Sequence, residues 1–415
     1  MRIITFTVIL LTAAIGCATE QTVSNTSETS ELKAVTVRVG ADPGWKVEEI
    51  KSPAADSSMS PQLTVQSGRA IVSWLELNES RASLKFSERT STGWTPARTV
   101  VEGDDLVVNT ADVPSVVALA DGTLAAHWLQ QDGSDPEAYK LPISWSKDSG
   151  QTWSPAVYPH HDGKQVQHGF ASLFQAPGAG LGLVWLDGRA TASSDGGSGS
   201  MNLWSASYGI DGKQISEMAV DPQVCDCCPL SVARTSDGIV VAYRDRDAEE
   251  IRDTYVSRLE GGRWSAPVAV HNDGWKINGC PVNGPAVSAN GKQVVVAWFT
   301  AVNDEGKAFV AFSQDGARTF GPPIRVDDKA SLGEVDVELL PDGSSAVTWI
   351  EAGEPSQSKL RRIESTGARS PALTLADRSK GRSPRLGLGK DELLVVWPAL
   401  DRGGPTVRTV RIALQ

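Results

Sequence analysis

Residues 114–128 read PSVVALADGTLAAHW. A β-branched run, a turn at Asp121-Gly122 and a second run ending in an aromatic form the signature of a short hairpin. The ending recurs along the chain as IVSW, LAAHW, LGLVW, VVAY, VVVAW, AVTW and LLVVW. Its aromatics are Trp74, Trp128, Trp185, Tyr243, Trp298, Trp349 and Trp397, separated by 54, 57, 58, 55, 51 and 48 residues. Each is preceded by a strand-like run with a Gly turn and followed by a variable loop, another strand and a turn, which makes about four strands per unit. Helix caps and 3.6-residue periodicity are scarce. A four-stranded unit repeating near every 50 residues predicts an all-β chain folded as a β-propeller. The spacing favours seven blades, with six as the alternative. The last repeat runs out at RTVRIALQ after three strands, whereas WKVEEIKS (45–52) precedes the first repeat unmatched. That segment is expected to complete the last blade and close the ring.

A second pattern lies in phase with the first. SKDSGQTWSP (Ser146 to Pro155) and SQDGARTFGP (Ser313 to Pro322) carry Asp148 and Asp315, while SERTSTGWTP (Ser87 to Pro96) and SRLEGGRWSAP (Ser257 to Pro267) are degenerate copies. These stretches resemble the Asp-box, or bacterial neuraminidase repeat, of the sialidase superfamily, and the resemblance covers essentially residues 40–415. It implies a propeller in which Asp148, Asp315, Trp153 and Phe320 are structural and their turns lie on the face away from the ligand. It also implies exo-α-sialidase-type glycoside hydrolysis, with three arginines on the sugar carboxylate, a Tyr nucleophile activated by a Glu and an Asp as acid/base. The Arg-Ile-Pro signature of that family is replaced here by DSSMSPQLTV (56–65), and the family's usual ring has six blades. No catalytic residue therefore carries over by motif.

If Asp-boxes join the third and outer strands of a blade, the opposite face receives the loops between second and third strands and those between blades. The unusual stretches all fall there: LDGRATASSDGGSGS (186–200), RDRDAEEIRD (244–253), HHDGKQVQHG (160–169), VCDCC (224–228) and HNDGWKINGCPVNGP (271–285). Loops on a rigid scaffold are where binding groups gather. Asp187, Asp245 and Glu250 are the candidate acid/base carboxylates. Arg189, Arg244, Arg246 and Arg252, with His168, are the candidate substrate-binding groups, since guanidinium suits bidentate recognition of a carboxylate or sulfate. Tyr243 stands where the other repeats have a core tryptophan. Two functions follow: an exported sialidase-like propeller acting on or binding glycans, or a non-catalytic propeller that binds a ligand or a protein. No cofactor is expected. A net charge of −11 excludes a nucleic-acid partner, which would need basic patches.

Past Cys17 the chain holds Cys225, Cys227, Cys228 and Cys280, an even number suited to disulfides in an exported protein. At least one bridge from Cys280 to the cluster is expected, with Cys225 or Cys228 the favoured partner. The alternative is a metal site in which these thiolates join His168 or His271 around zinc or copper(I). The first twenty residues, MRIITFTVILLTAAIGCATE, combine a charged start, a short apolar run and small residues before Cys17. They resemble a bacterial lipoprotein signal (1–16), followed by a lipidated Cys17 within a polar tether (17–35) and the propeller (36–415). The expected location is the cell envelope, with membrane attachment through lipid only. Cys17→Ala should then leave the membrane fraction or stall uncleaved; unchanged fractionation with membranes would refute the lipid anchor.

Overall fold

A computed structural model of the protein describes residues 45–414 other than 177, 179, 193–198, 378–383 and 402–403. The expected signal peptide, Cys17 and tether lie outside the described residues, as does the tip of the 186–200 loop. Strands fill the described chain, and a 3-10 turn at Val302–Asp304 is its only helical element among these residues.

The strands form seven blades. Each innermost strand turns back into a second and then a third, all antiparallel. Blade one runs from Ser58–Gln66 through Arg69–Asn78 and Arg81–Thr90 to Arg98–Gly103; blade two contains Ser115–Ala118, Leu124–His127 and Ile143–Ser146. Blade three is His168–Gln175, Leu181–Asp187, Asn202–Tyr208 and Gln214–Asp221; blade four is Ser231–Arg234, Ile239–Arg244, Thr254–Glu260 and Val268–His271. Blade five spans Ala286–Asn290 to Ile324–Arg325 and blade six Ser331–Leu339 to Leu373–Asp377. Blade seven takes Arg385–Leu388, Glu392–Asp401 and Gly404–Ala413 from the C-terminus and its outer strand, Val47–Ile50, from the N-terminal segment. The ring closes as its unmatched strand requires.

Second strands are covered on both faces by neighbouring blades, so all seven residues of Leu181–Asp187 are buried. This is why they read as continuous apolar runs and make the repeat visible. Their terminal aromatics are core: Trp74, Trp185, Tyr243, Trp298 and Trp349 are fully buried. A buried indole N–H needs an acceptor. Trp74 donates to Glu76 (3.0 Å), Trp185 to Asp187 (2.7 Å) and Trp349 to Glu351 (2.7 Å), each carboxylate two residues on along the same strand face.

The two Ser-x-Asp turns share their bonding and each follows the third strand of its blade, leading to the outer strand Ile324–Arg325 in blade five and to the isolated Ile143–Val157 bridge in blade two. Ser146 Oγ donates to Asp148 Oδ1 (2.7 Å), which also accepts the N–H of Gln151 and Thr152. Ser313, Asp315, Arg318 and Thr319 repeat the arrangement. These donors hold both carboxyls well below the usual carboxylate range.

Toward the axis the innermost strands have no further strand to pair with, and polar side chains join one blade to the next. Thr64 Oγ1 donates to Val116 O, Ser172 Oγ to Leu230 O, and the N–H groups of Ala120, Val287, Leu339 and Leu386 donate to Gln175, Ser231, Ser288 and Asp336. Between blades seven and one the contact is apolar and close: a Cβ at Gly387 would meet Leu63 Cδ2 at 2.7 Å.

The closing strand packs Trp45 against the core of blades six and seven, and Thr409 Oγ1 donates to Ile50 O (2.8 Å). A chain beginning at Pro53 should lose this strand, reopen a sheet edge and melt at least ~10 °C below one beginning at residue 41. Equal melting midpoints would refute the clasp.

Candidate functional site

The innermost strands surround an axial cavity of about 540 Å³. Its lower end, on the side of the Ser-x-Asp turns, is pinched where Gln66 Nε2 donates to Leu173 O and Gln175 N–H to Gln66 Oε1, joining blade one to blade three. Its upper end reaches the first residues of the innermost strands, on the face of the long loops. Blade six supplies most of the acidic side chains in the lining. In SLGEVDVEL (331–339), Val335, Val337 and Leu339 are buried in the core while Glu334, Asp336 and Glu338 alternate with them and line the cavity. Asp336 and Glu338 open onto the cavity yet lie deep within the ring, and desolvation raises both carboxyls, Glu338 to about 8. Arg385, also in the lining, favours ionised Asp336. From blade one, Gln62 lines the cavity with Oε1 buried and without a hydrogen-bond partner.

The mouth is shaped by strained backbone. Ser60, Phe170 and Glu334 take φ of 52°, 53° and 55°, each inside the irregular register that opens an innermost strand. Non-glycine residues in this region cost roughly 1 kcal/mol or more each and persist where surrounding structure enforces them. Here the same bulge recurs in blades one, three and six at the cavity rim.

None of these cavity residues figured among the sequence candidates. Two sequence features accompany them without identifying the axial face: the alternation EVDVE, which puts three carboxylates on one strand face, and proline just before an innermost strand, at Pro114, Pro229, Pro285 and Pro384, or within one, at Pro61.

The sequence candidates fall into two clusters above the rim. At blade three, Asp187 is fully buried and accepts from Trp185 Nε1, Arg189 Nε (2.8 Å) and Arg189 Nη2 (2.8 Å). Arg189 also reaches Glu217 (2.8 Å) and lies 3.6 Å over the Trp204 ring. His168 is buried, 2.9 Å from Asp162 through Nε2 and stacked on His160 at 3.7 Å. Burial and the neighbouring His168 push His160 down to about 3. The ligand atoms of His160, Asp162 and His168 lie within 4.8 Å of one another, a spacing compatible with a cation.

At blade four the arginines are held by the protein. Arg244 is buried and donates to three backbone carbonyls, those of Asn283, Arg252 and Phe299, with Trp275 4.8 Å from its guanidinium. Arg246 pairs with Glu250 and Asp226 (3.0 Å), and Arg252 with Glu250 (2.9 Å). Asp245 lies apart from Asp187. Trp185 packs into the core between blades two and three, whereas Tyr243 packs into that between blades three and four. Burial, followed by the nearby Asp221 carboxylate, raises Asp245 to about 7. Tyr243 donates to Asp221 (2.7 Å).

All four cysteines past Cys17 are bridged, and a bridge ties Cys280 to the cluster as expected, but the favoured partner is corrected: Cys280 joins Cys227 rather than Cys225 or Cys228, and Cys225 joins Cys228. Cys225 and Cys228 are buried while Cys227 is half-buried and Cys280 exposed. The chain therefore presents Cys227 to the loop of blade five and turns its two neighbours inward. His271, the other candidate ligand, lies against Asp273 (2.8 Å) and Trp298.

Asp245 yields a pH dependence with a definite sign. Its folded value lies above the unfolded one, so between about pH 4 and 7 the native state holds a proton that the unfolded chain has released. Its contribution is fully present below this window and is lost as pH rises through it. Asp245→Asn should melt with the parent near pH 4 and progressively above it toward pH 8; a constant difference across that range would refute the assignment.

No protein-family model and no curated protein matches the chain. Among solved structures, the lectin BP39L from Burkholderia pseudomallei is similar with a TM-score of 0.62 at 13% identity, over 86% of this chain and 96% of its own. A protein of unknown function from Dyadobacter fermentans gives 0.50 at 14% identity, over 90% and 100% of the two chains. The phage phi92 endosialidase gives 0.50 at 8% identity, over 89% and 69%. Likenesses at these identities establish the fold, and the fold is a β-propeller.

Proposed function

We propose that the protein binds a carbohydrate residue in the axial cavity, reached from the face of the long loops. The cavity carries the reading: about 540 Å³ is a volume typical of small-molecule sites. Its lining offers the mixture of donors and acceptors that a hydroxyl-rich ligand requires. Gln62 Oε1 is a buried acceptor awaiting a donor, and Glu338, raised to about 8, is protonated at neutral pH and able to donate. That a lectin and an endosialidase are among the propellers similar in fold supports a glycan as the ligand.

Binding without sialidase-type hydrolysis fits the tyrosines. Of the five tyrosines, the two whose phenols bond a carboxylate, Tyr139 to Asp112 and Tyr243 to Asp221, are both buried, so neither of these phenols meets a ligand as a nucleophile. One observation favours hydrolysis of another kind: Asp336 and Glu338 lie on one face of the same strand and line the cavity together, with Glu338 raised to about 8 as a general acid requires.

A glycan array followed by calorimetry tests the reading. Gln62→Leu and Glu334→Gln should each weaken binding at least ~10-fold without lowering the melting midpoint by more than a few degrees. Arg246→Ala should leave affinity within about twofold, since its carboxylate partners already hold it. The opposite pattern would move the site to the blade-four mouth, where the arginines would recognise an anionic sugar. A screen with aryl glycosides, repeated on Asp336→Asn, separates binding from hydrolysis.

A further inference from the structure

The cysteine cluster lies outside the proposed sugar site. Its sulfurs belong to two bridges, yet the Sγ atoms of Cys225, Cys227 and Cys228 all lie within 4.8 Å of one another. Cys280, bridged to Cys227 from the blade-five loop, brings a fourth sulfur to the edge of the cluster. Cys225 and Cys228 have the C-x-x-C spacing common among metal ligands.

The surroundings suit negative charge on sulfur. Arg252 is only 2% exposed, and its Nη1 lies 3.6 Å from Cys225 Sγ. Its Nε is buried with no hydrogen-bond partner, although Nη2 is held by Glu250 and Nη1 also lies 3.6 Å from the partly exposed Asp226 carboxylate. A disulfide is neutral and gives this cation little in return, whereas a thiolate would accept from it and be stabilised by it. Arg246 holds Asp226, the residue between Cys225 and Cys227, by its carboxylate. The run is thereby anchored by a side chain that is not itself a sulfur ligand.

We propose that, when reduced, Cys225, Cys227, Cys228 and Cys280 form a thiolate site for a soft d10 cation, zinc(II) or copper(I). Thiolates select such ions, and a tetrathiolate zinc site sets its sulfurs roughly 3.8 Å apart, a separation reached by opening two bridges whose sulfurs are already clustered. Reduction takes four electrons and four protons from two equivalents of an external dithiol, each of which closes to its own disulfide. The cation then displaces the thiol protons to water. Cys280, exposed at the surface, is where the dithiol attacks first, and the buried Cys225 and Cys228 enclose the ion. Arg252 serves as the outer donor to sulfur.

The test uses the full chain, reduced with a phosphine and desalted anaerobically, with near-UV circular dichroism confirming that the ring is intact. Cobalt(II) is added as the spectroscopic probe, then zinc(II), and separately copper(I) against a competing chelator. The expected result is one cation retained per chain, thiolate-to-cobalt charge-transfer absorption that zinc abolishes, and protection of the cluster cysteines from alkylation in peptide maps. Protection of all four indicates zinc; protection of three with copper(I) alone indicates copper. Cys280→Ser and Arg252→Gln should each lower affinity at least ~10-fold while the near-UV signal is kept. Retention no greater than that of a variant with all four cysteines changed to serine would overturn the site. Binding that occurs only after the near-UV signal is lost would overturn it equally. A Cys227→Ser, Cys280→Ser chain, which keeps the inner pair, checks the fold independently: it should stay folded when oxidised and retain less than a tenth of the metal when reduced.

Discussion

Each blade of this propeller ends at the axis in a strand with an unpaired edge, and the structure depends on how those edges are satisfied. An unmet backbone group in a buried position costs about as much as a lost hydrogen bond, so seven open edges around one axis would be hard to sustain. The chain meets them with short polar side chains on the innermost strands. Thr64, Ser172, Ser231, Ser288 and Asp336 each reach the backbone of a neighbouring blade, and Gln66 and Gln175 join blades one and three at the lower end. The same logic operates at the rim, where Val47–Ile50 occupies the outer edge of Gly404–Ala413. Ring closure and axial stitching are two answers to one requirement.

Because these side chains point inward, the axis is lined with polar groups, and function there borrows from structure. Asp336 holds Leu386 N–H and still faces the cavity, while Ser288 holds both Leu339 N–H and the Glu338 carboxyl. The groups with capacity to spare are fewer, Gln62 above all. At the loop face the balance is reversed. Arg189 and Arg246 are enclosed by carboxylates and Arg244 by carbonyls, so the abundance of charge there produces rigidity first. Charged pairs of this kind contribute modestly where water reaches them and a great deal to order where it does not.

The repeat of second strands was legible because those strands are buried on both faces, and burial on both faces forces a continuous apolar run. The favoured blade number and the closing role of WKVEEIKS followed from that spacing, whereas the orientation of the Ser-x-Asp turns followed from their resemblance to the Asp-box. Asp187 was legible as a conspicuous acid but not in its bonding, since a carboxylate two residues after a core tryptophan also occurs at Glu76 and Glu351, where it holds the indole. The cavity residues went unmarked because nothing in a single strand says which of its two faces meets the axis.

The sequence by itself determined a ring of four-stranded antiparallel sheets, with seven blades favoured over six, and an even set of four cysteines after Cys17, since period and parity are properties of the chain read in one dimension. Only the tertiary structure decided that Cys227, not its neighbours, reaches Cys280, that the arginines of the loop face are occupied, and that Glu334, Asp336 and Glu338 share a cavity with Gln62 and Arg385. Those outcomes depend on which side chains converge from different blades, and convergence between segments up to 323 residues apart, as from Gln62 to Arg385, is set by the closure of the ring and not by any local pattern.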